Sequence, residues 1–89
     1  MTDRDGFERD LRARGYEVST VSRPAGAALD MHTHPFEARA LILSGEIRIR
    51  CQSEGEVLYR AGDVFQLAPG QPHSEGYGPE GVSYLVGRR

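Results

Sequence analysis

From Gly15 onward, turn-forming residues interrupt the chain about every ten residues, and the apolar residues between them alternate. The breaks are Arg23-Pro24-Ala25-Gly26, Gly45-Glu46, 52–55, Arg60-Ala61-Gly62-Asp63, 68–72 and Gly78-Pro79-Glu80-Gly81. A helix several turns long does not fit between such breaks, whereas short strands do. Alternation is clearest at 47–51, where Ile47, Ile49 and Cys51 share one face and Arg48 and Arg50 the other. Strands are expected at 16–22, 38–44, 47–51, 57–59, 64–67 and 82–86, with 74–77 extended. This pattern predicts an all-β sandwich or barrel.

The one helix is expected before that region, over residues 3–14. Asp3 or Thr2 can cap it, Phe7 and Leu11 form an apolar pair one turn apart, and Gly15 stops it. Glu8/Arg12 and Asp10/Arg14 are opposite charges four residues apart, so this face is expected in solvent. The apolar stripe is narrow, which suits a helix docked on the outside of the β-structure. The chain is thus expected to be a single domain, residues 1–15 forming the helix and 16–89 the β-barrel.

Composition excludes several chemistries. All eleven basic residues are arginine; without lysine there is no Schiff-base chemistry and no anchor for pyridoxal phosphate. The formal net charge is −2, which does not suit a nucleic-acid or anionic-membrane binder. The longest apolar run, 40–43, is far too short to span a membrane. The charged start of the chain does not read as a secretory signal, and a single cysteine, Cys51, forms no internal disulfide, so a cytoplasmic location is expected. Cys51 shares its face with Ile47 and Ile49 and is expected as a buried structural thiol. With 38% hydrophobic residues in 89, the chain has little core of its own, and a second copy is expected to cover part of it.

The chain has three histidines. His32 and His34 are spaced i, i+2 and project side by side if the segment is a strand, so they can take neighbouring positions on one metal ion. His73 follows a Pro-rich loop and can join them from an adjacent strand. Glu37 offers a carboxylate three residues past His34. Neutral imidazole with carboxylate suits divalent Fe, Mn, Ni, Cu or Zn. Arg39, Gln66 and Tyr77 are candidates for lining a pocket beside this site, Arg39 as the partner of a substrate carboxylate.

Gly26, His32-x-His34, an acidic residue and Gly45, in that order, resemble the first motif of the cupin superfamily. Gly62-Asp63, a short strand, Pro69-Gly70 and His73 resemble its second motif, with Ala68 and Tyr77 as departures from the usual pattern. The resemblance covers roughly 16–87, and the interval from Gly45 to Gly62 is short, as in small single-domain cupins. It implies an antiparallel jelly-roll barrel, a homodimer, and one divalent ion held by His32, His34 and His73. The usual acidic ligand position falls on Ala38, one residue after Glu37, and a one-residue shift reverses the face of a strand. Glu37 is expected to reach the metal only if the backbone at Pro35-Phe36 breaks the alternation.

Three classes of function remain open. One is a metal-dependent enzyme acting on a small organic molecule: a dioxygenase, an isomerase or a lyase. Another is a non-catalytic cupin that binds or senses a small ligand or metal. The third is a structural domain whose histidines are vestigial.

Overall fold

The computed structural model describes residues 3–52 and 55–89. Helix α1 (Arg4–Ala13) is followed by strands β1 (Glu17–Arg23), β2 (Ala28–His32), β3 (Ala38–Cys51), β4 (Gly55–Arg60), β5 (Val64–Leu67) and β6 (His73–Arg88). All strand pairing is antiparallel. This is the jelly-roll arrangement of an all-β domain with one N-terminal helix, its sheet not closed into a full barrel.

The architecture rests on two long strands that pair with each other along most of their length. β6 pairs with β2 through residues 73–76 and with β1 through 82–88. β3 pairs with β5 through residues 38–41 and with β4 through 46–51. Each long strand therefore passes from one half of the fold to the other. The register between them shifts between Ile42 and Ser44 and again between Gly45 and Ile47. Gly45-Glu46 and 78–81, expected as turns, are thus irregularities inside continuous strands. Gly45 has φ +73° and Gly81 φ +75°, values that suit glycine. A Cβ on Gly45 would collide with the Gly81 carbonyl, so a larger residue is excluded by crowding as well. Turn residues here bend a strand instead of reversing it. Of the expected turn at 52–55, Ser53 and Glu54 lie outside the described residues, as does the alternative cap Thr2.

Alternation sorts the core into two layers. Ala38, Ala40, Ile42, Ile47 and Ile49 of β3 face inward with Phe65, Leu67, Tyr77, Val82, Tyr84 and Val86. Leu41 and Leu85 face the other side, where Phe7 and Leu11 of α1 and Tyr16 cover them. The Asp3 carboxylate accepts from the Gly6 N–H at 2.8 Å and caps the helix. The Tyr16 N–H donates to the Leu11 carbonyl at 3.0 Å and turns the chain into β1. The helix therefore lies outside the β-structure with Glu8–Arg12 and Asp10–Arg14 paired on its open side.

Candidate metal centre

β2 delivers His32 and β6 delivers His73 at positions that pair directly across the two strands. His34 lies just past the end of β2, in irregular backbone fixed by a hydrogen bond from the Gly70 N–H to its carbonyl, 2.8 Å. Strand geometry therefore sets His32, whereas the loop after β2 brings in the ring of His34. Ring centroids of His32 stand 4.7 Å from His34 and 4.4 Å from His73. His34 and His73 are 5.3 Å apart.

The fourth member is Glu75. One donor atom from each of His32, His34, His73 and Glu75 lies within 4.8 Å of the others. Glu75 Oε2 is 3.4 Å from His32 Nε2 and 3.3 Å from His73 Nε2. The sequence signal for Glu75 is its place two residues after His73 on one strand, which gives it the same face; reading forward from His34 for an acid overlooks it.

The ring nitrogens on the far side are committed. His32 Nδ1 is 2.6 Å from the Asp30 carbonyl and His73 Nδ1 is 3.0 Å from that of Gln71. A carbonyl only accepts, so both Nδ1 atoms carry a proton, and in the neutral ring each Nε2 then presents a lone pair to the cluster. His32 Nε2 and His34 Nε2 are 3.1 Å apart. His73 is 1% exposed, and its Nε2 has no hydrogen-bond partner among the described residues. For the neutral ring the Glu75 oxygen beside it cannot serve, because neither atom then has a proton to donate. Imidazole lone pairs converging with a carboxylate, that of His73 buried, are a set that a cation satisfies. Burial, and then the neighbouring His32 and His73, holds His34 below the ordinary histidine range, keeping that ring neutral as a ligand must be.

Tyr77, an expected pocket residue, faces inward and is buried. Its hydroxyl donates to Glu75 Oε1 at 3.1 Å. Burial and the Glu75 charge push its pKa far up, so it stays a donor. Cys51 also faces inward, and its sulfur accepts from the Gln71 side chain at 3.3 Å.

The structure places Glu37 elsewhere. Its N–H and carbonyl pair with the carbonyl and N–H of Arg89, so it already lies in strand register next to Ala38. The bend at Pro35-Phe36 ends one residue too early to turn it inward. Glu37 Oε1 accepts from the Tyr16 hydroxyl at 2.6 Å and from Gln66 Nε2 at 3.3 Å, and Oε2 from Arg89 Nε at 3.3 Å. Tyr16 chiefly, with Arg89, holds its carboxyl below the ordinary range. Arg39 and Gln66 belong to this outer layer too, because they alternate with the inward Ala38, Ala40, Phe65 and Leu67. Arg39 donates to Gln66 at 3.1 Å, and its guanidinium stands 5.6 Å over the Phe7 ring. Neither lines the cavity beside the cluster.

A cavity of about 40 Å³ opens beside the cluster, lined by His34 and Glu75 together with the apolar wall of Phe36, Ala38, Phe65, Leu67 and Val86. Tyr84 and Arg88 complete it. Phe36 stacks on His34 at 4.8 Å, which holds the ring toward the other two. The centre therefore has protein on most sides and one side open to a small ligand.

Comparison with solved structures agrees with the fold. The DMSP lyase DddQ from Ruegeria pomeroyi DSS-3 superposes with a TM-score of 0.76 at 27% identity, over 83% of this chain and 38% of the lyase. An uncharacterised conserved protein with a double-stranded β-helix domain from Klebsiella pneumoniae gives 0.67 at 25% identity, over 80% of this chain and 64% of that one. The cupin domain of Schizosaccharomyces pombe Cnp3 gives 0.72 at 21%, over 82% and 51%, which shows likeness of fold alone. This chain thus spans less than two thirds of each of these structures, from 38% to 64%. No curated protein matches it. The cupin domain family matches residues 19–78, about two thirds of the chain and including all three histidines, and on that ground the chain belongs to the cupins.

Proposed function

We propose that this cupin binds one divalent metal ion through His32, His34, His73 and Glu75 and uses it on a small organic molecule entering the adjacent cavity. The observation that carries this is His73 Nε2, buried, without a hydrogen-bond partner among the described residues, and directed at three other donor atoms. A bound divalent ion would supply Lewis acidity at that position. The chain's own residues do the rest. The Asp30 and Gln71 carbonyls fix the tautomers of His32 and His73. Tyr77 holds one oxygen of Glu75 and leaves the other facing the histidines. Phe36, Leu67 and Val86 keep water from the cavity wall.

Among isomerase, oxygenase and lyase chemistry, the likeness to a DMSP lyase at 27% identity supports a lyase. Iron, manganese, nickel, zinc and copper all suit the donor set. Binding without turnover is the alternative function. The protein is further proposed to be cytoplasmic, consistent with its single cysteine, and homodimeric. Leu29, Met31, Val57 and Leu58 are exposed in β2 and β4, which supports burial by a second copy.

Metal content of the purified protein, with competition against a chromophoric chelator, tests the centre. Stoichiometric binding that His73→Ala abolishes is expected. Equal binding by wild type and His73→Ala would overturn it. Turnover of small acids and sulfonium compounds by loaded protein then separates enzyme from binder.

A further inference from the structure

We infer that the cavity beside the candidate centre takes a small carboxylate, with Arg88 as the group that recognises its charge. The inference deepens the proposed function and rests on it for the metal.

Val82, Tyr84 and Val86 are successive inward residues of β6, each buried in the inner core. Arg88 is the next residue in that series, so a charged side chain occupies a position in phase with the core-lining face. Its neighbour across the ladder is Ala38, also inward and too small to fill the space. Arg88 is exposed, at the end of the strand, and lines the same cavity as His34 and Glu75. Its guanidinium stands 5.2 Å over the Phe36 ring, and Phe36 in turn stacks on His34. A stack thus runs from the arginine to a candidate ligand along one wall. Among the described residues no carboxylate forms an ion pair with Arg88, whereas Arg12, Arg14, Arg60 and Arg89 are paired.

Planar, fixed guanidinium is suited to a carboxylate. Apart from Tyr84, the remaining walls, Phe36, Ala38, Phe65, Leu67 and Val86, are apolar and suit a hydrocarbon remainder. A cavity of about 40 Å³ suits a small ligand. Glu75 is the one acid on the cavity and opposes an anion, but a divalent ion shared with it would reverse the local sign. The ligand class is therefore a short-chain carboxylate whose head meets Arg88 and whose chain points toward the histidines.

The test uses propionate and its uncharged analogue propionamide, titrated by NMR into wild type, Arg88→Gln and Arg88→Lys, while nickel affinity is read separately by chelator competition. Wild type is expected to prefer propionate. Arg88→Gln should weaken propionate about tenfold, leave propionamide unchanged and hold nickel within about twofold of wild type. Arg88→Lys should retain part of the preference. Absence of propionate binding, equal binding of the two probes by wild type, or an undiminished preference in Arg88→Gln would overturn the inference. Failure to hold nickel would instead overturn the metal centre, and the same probe comparison on that protein would still decide the role of Arg88.

Discussion

Glu37 and Arg89 exchange both backbone hydrogen bonds, at 2.9 and 3.1 Å, and their side chains then meet on the outer face of the sheet. The Arg89 guanidinium also lies 4.4 Å over the Tyr16 ring and donates to the Arg14 carbonyl at 2.8 Å. The last residue of the chain, the end of α1 and the start of β3 are therefore joined at one point. The acid that a reading from His34 assigns to metal is the acid that joins them.

Removing that acid should leave metal binding alone and change the response to acid. Glu37 sits below its ordinary value of 4.5 in the folded protein, chiefly through the Tyr16 hydroxyl. Its contribution is present above the unfolded value and is lost as pH falls through the lower folded value. Glu37→Gln is expected to flatten the fall in stability below about pH 4.5, measured by urea unfolding, with metal affinity within twofold of wild type.

Glu75→Gln should act in the opposite manner. It keeps the shape but removes the negative charge facing His32 and His73. A direct ligand should cost at least the roughly 10–100-fold that supporting residues cost, measured by chelator competition. Metal at about a hundredfold excess over Kd stabilises the wild type by about 2.7 kcal/mol, and this increment should shrink in Glu75→Gln and vanish in His73→Ala.

Tyr77→Phe isolates the hydrogen bond to Glu75. The ring still fills the inner core, so the melting temperature of metal-free protein should move little. Metal affinity should fall about tenfold as Glu75 loses its anchor. No change in affinity would show that Glu75 is held without it.

Leu11 is fully buried beneath the helix and packs with Leu41 and Leu85. Leu11→Ala should cost about 2–5 kcal/mol. In a domain this size each kcal/mol lowers Tm by about 4–8 °C. Nickel affinity at a temperature where the variant is folded should be unchanged, because the outer layer does not touch the cluster.

For assembly, light scattering is expected to give twice the 9.8 kDa chain mass at micromolar concentration. Met31→Asp on exposed β2 should shift it toward the single chain. A single-chain mass for wild type would remove the dimer.

Much of this protein follows from local rules that the sequence states directly. The capped, amphipathic start makes a helix with one narrow apolar stripe, so it docks outside. Period-two alternation puts Ile47, Ile49 and Cys51 on one face whatever the strand pairs with, and turn residues limit the elements to strands. Three histidines with the cupin spacing mark the candidate donors. Tertiary structure decided the points where a local signal has two outcomes. Gly45 and Gly81 can end a strand or bend it, and the pairing of β3 with β6 on both sides of them makes them bend it. Glu37 and Glu75 both stand near histidines in sequence, but side-chain direction depends on where pairing begins. The hydrogen bonds to Arg89 bring Glu37 into register facing out, while His73 and Glu75 share a strand and face in together. Arg39, Gln66 and Arg88 were sorted the same way, the first two outward and the last to the rim of the cavity. Parity is a property of one strand; which face is the inside is a property of the whole sheet.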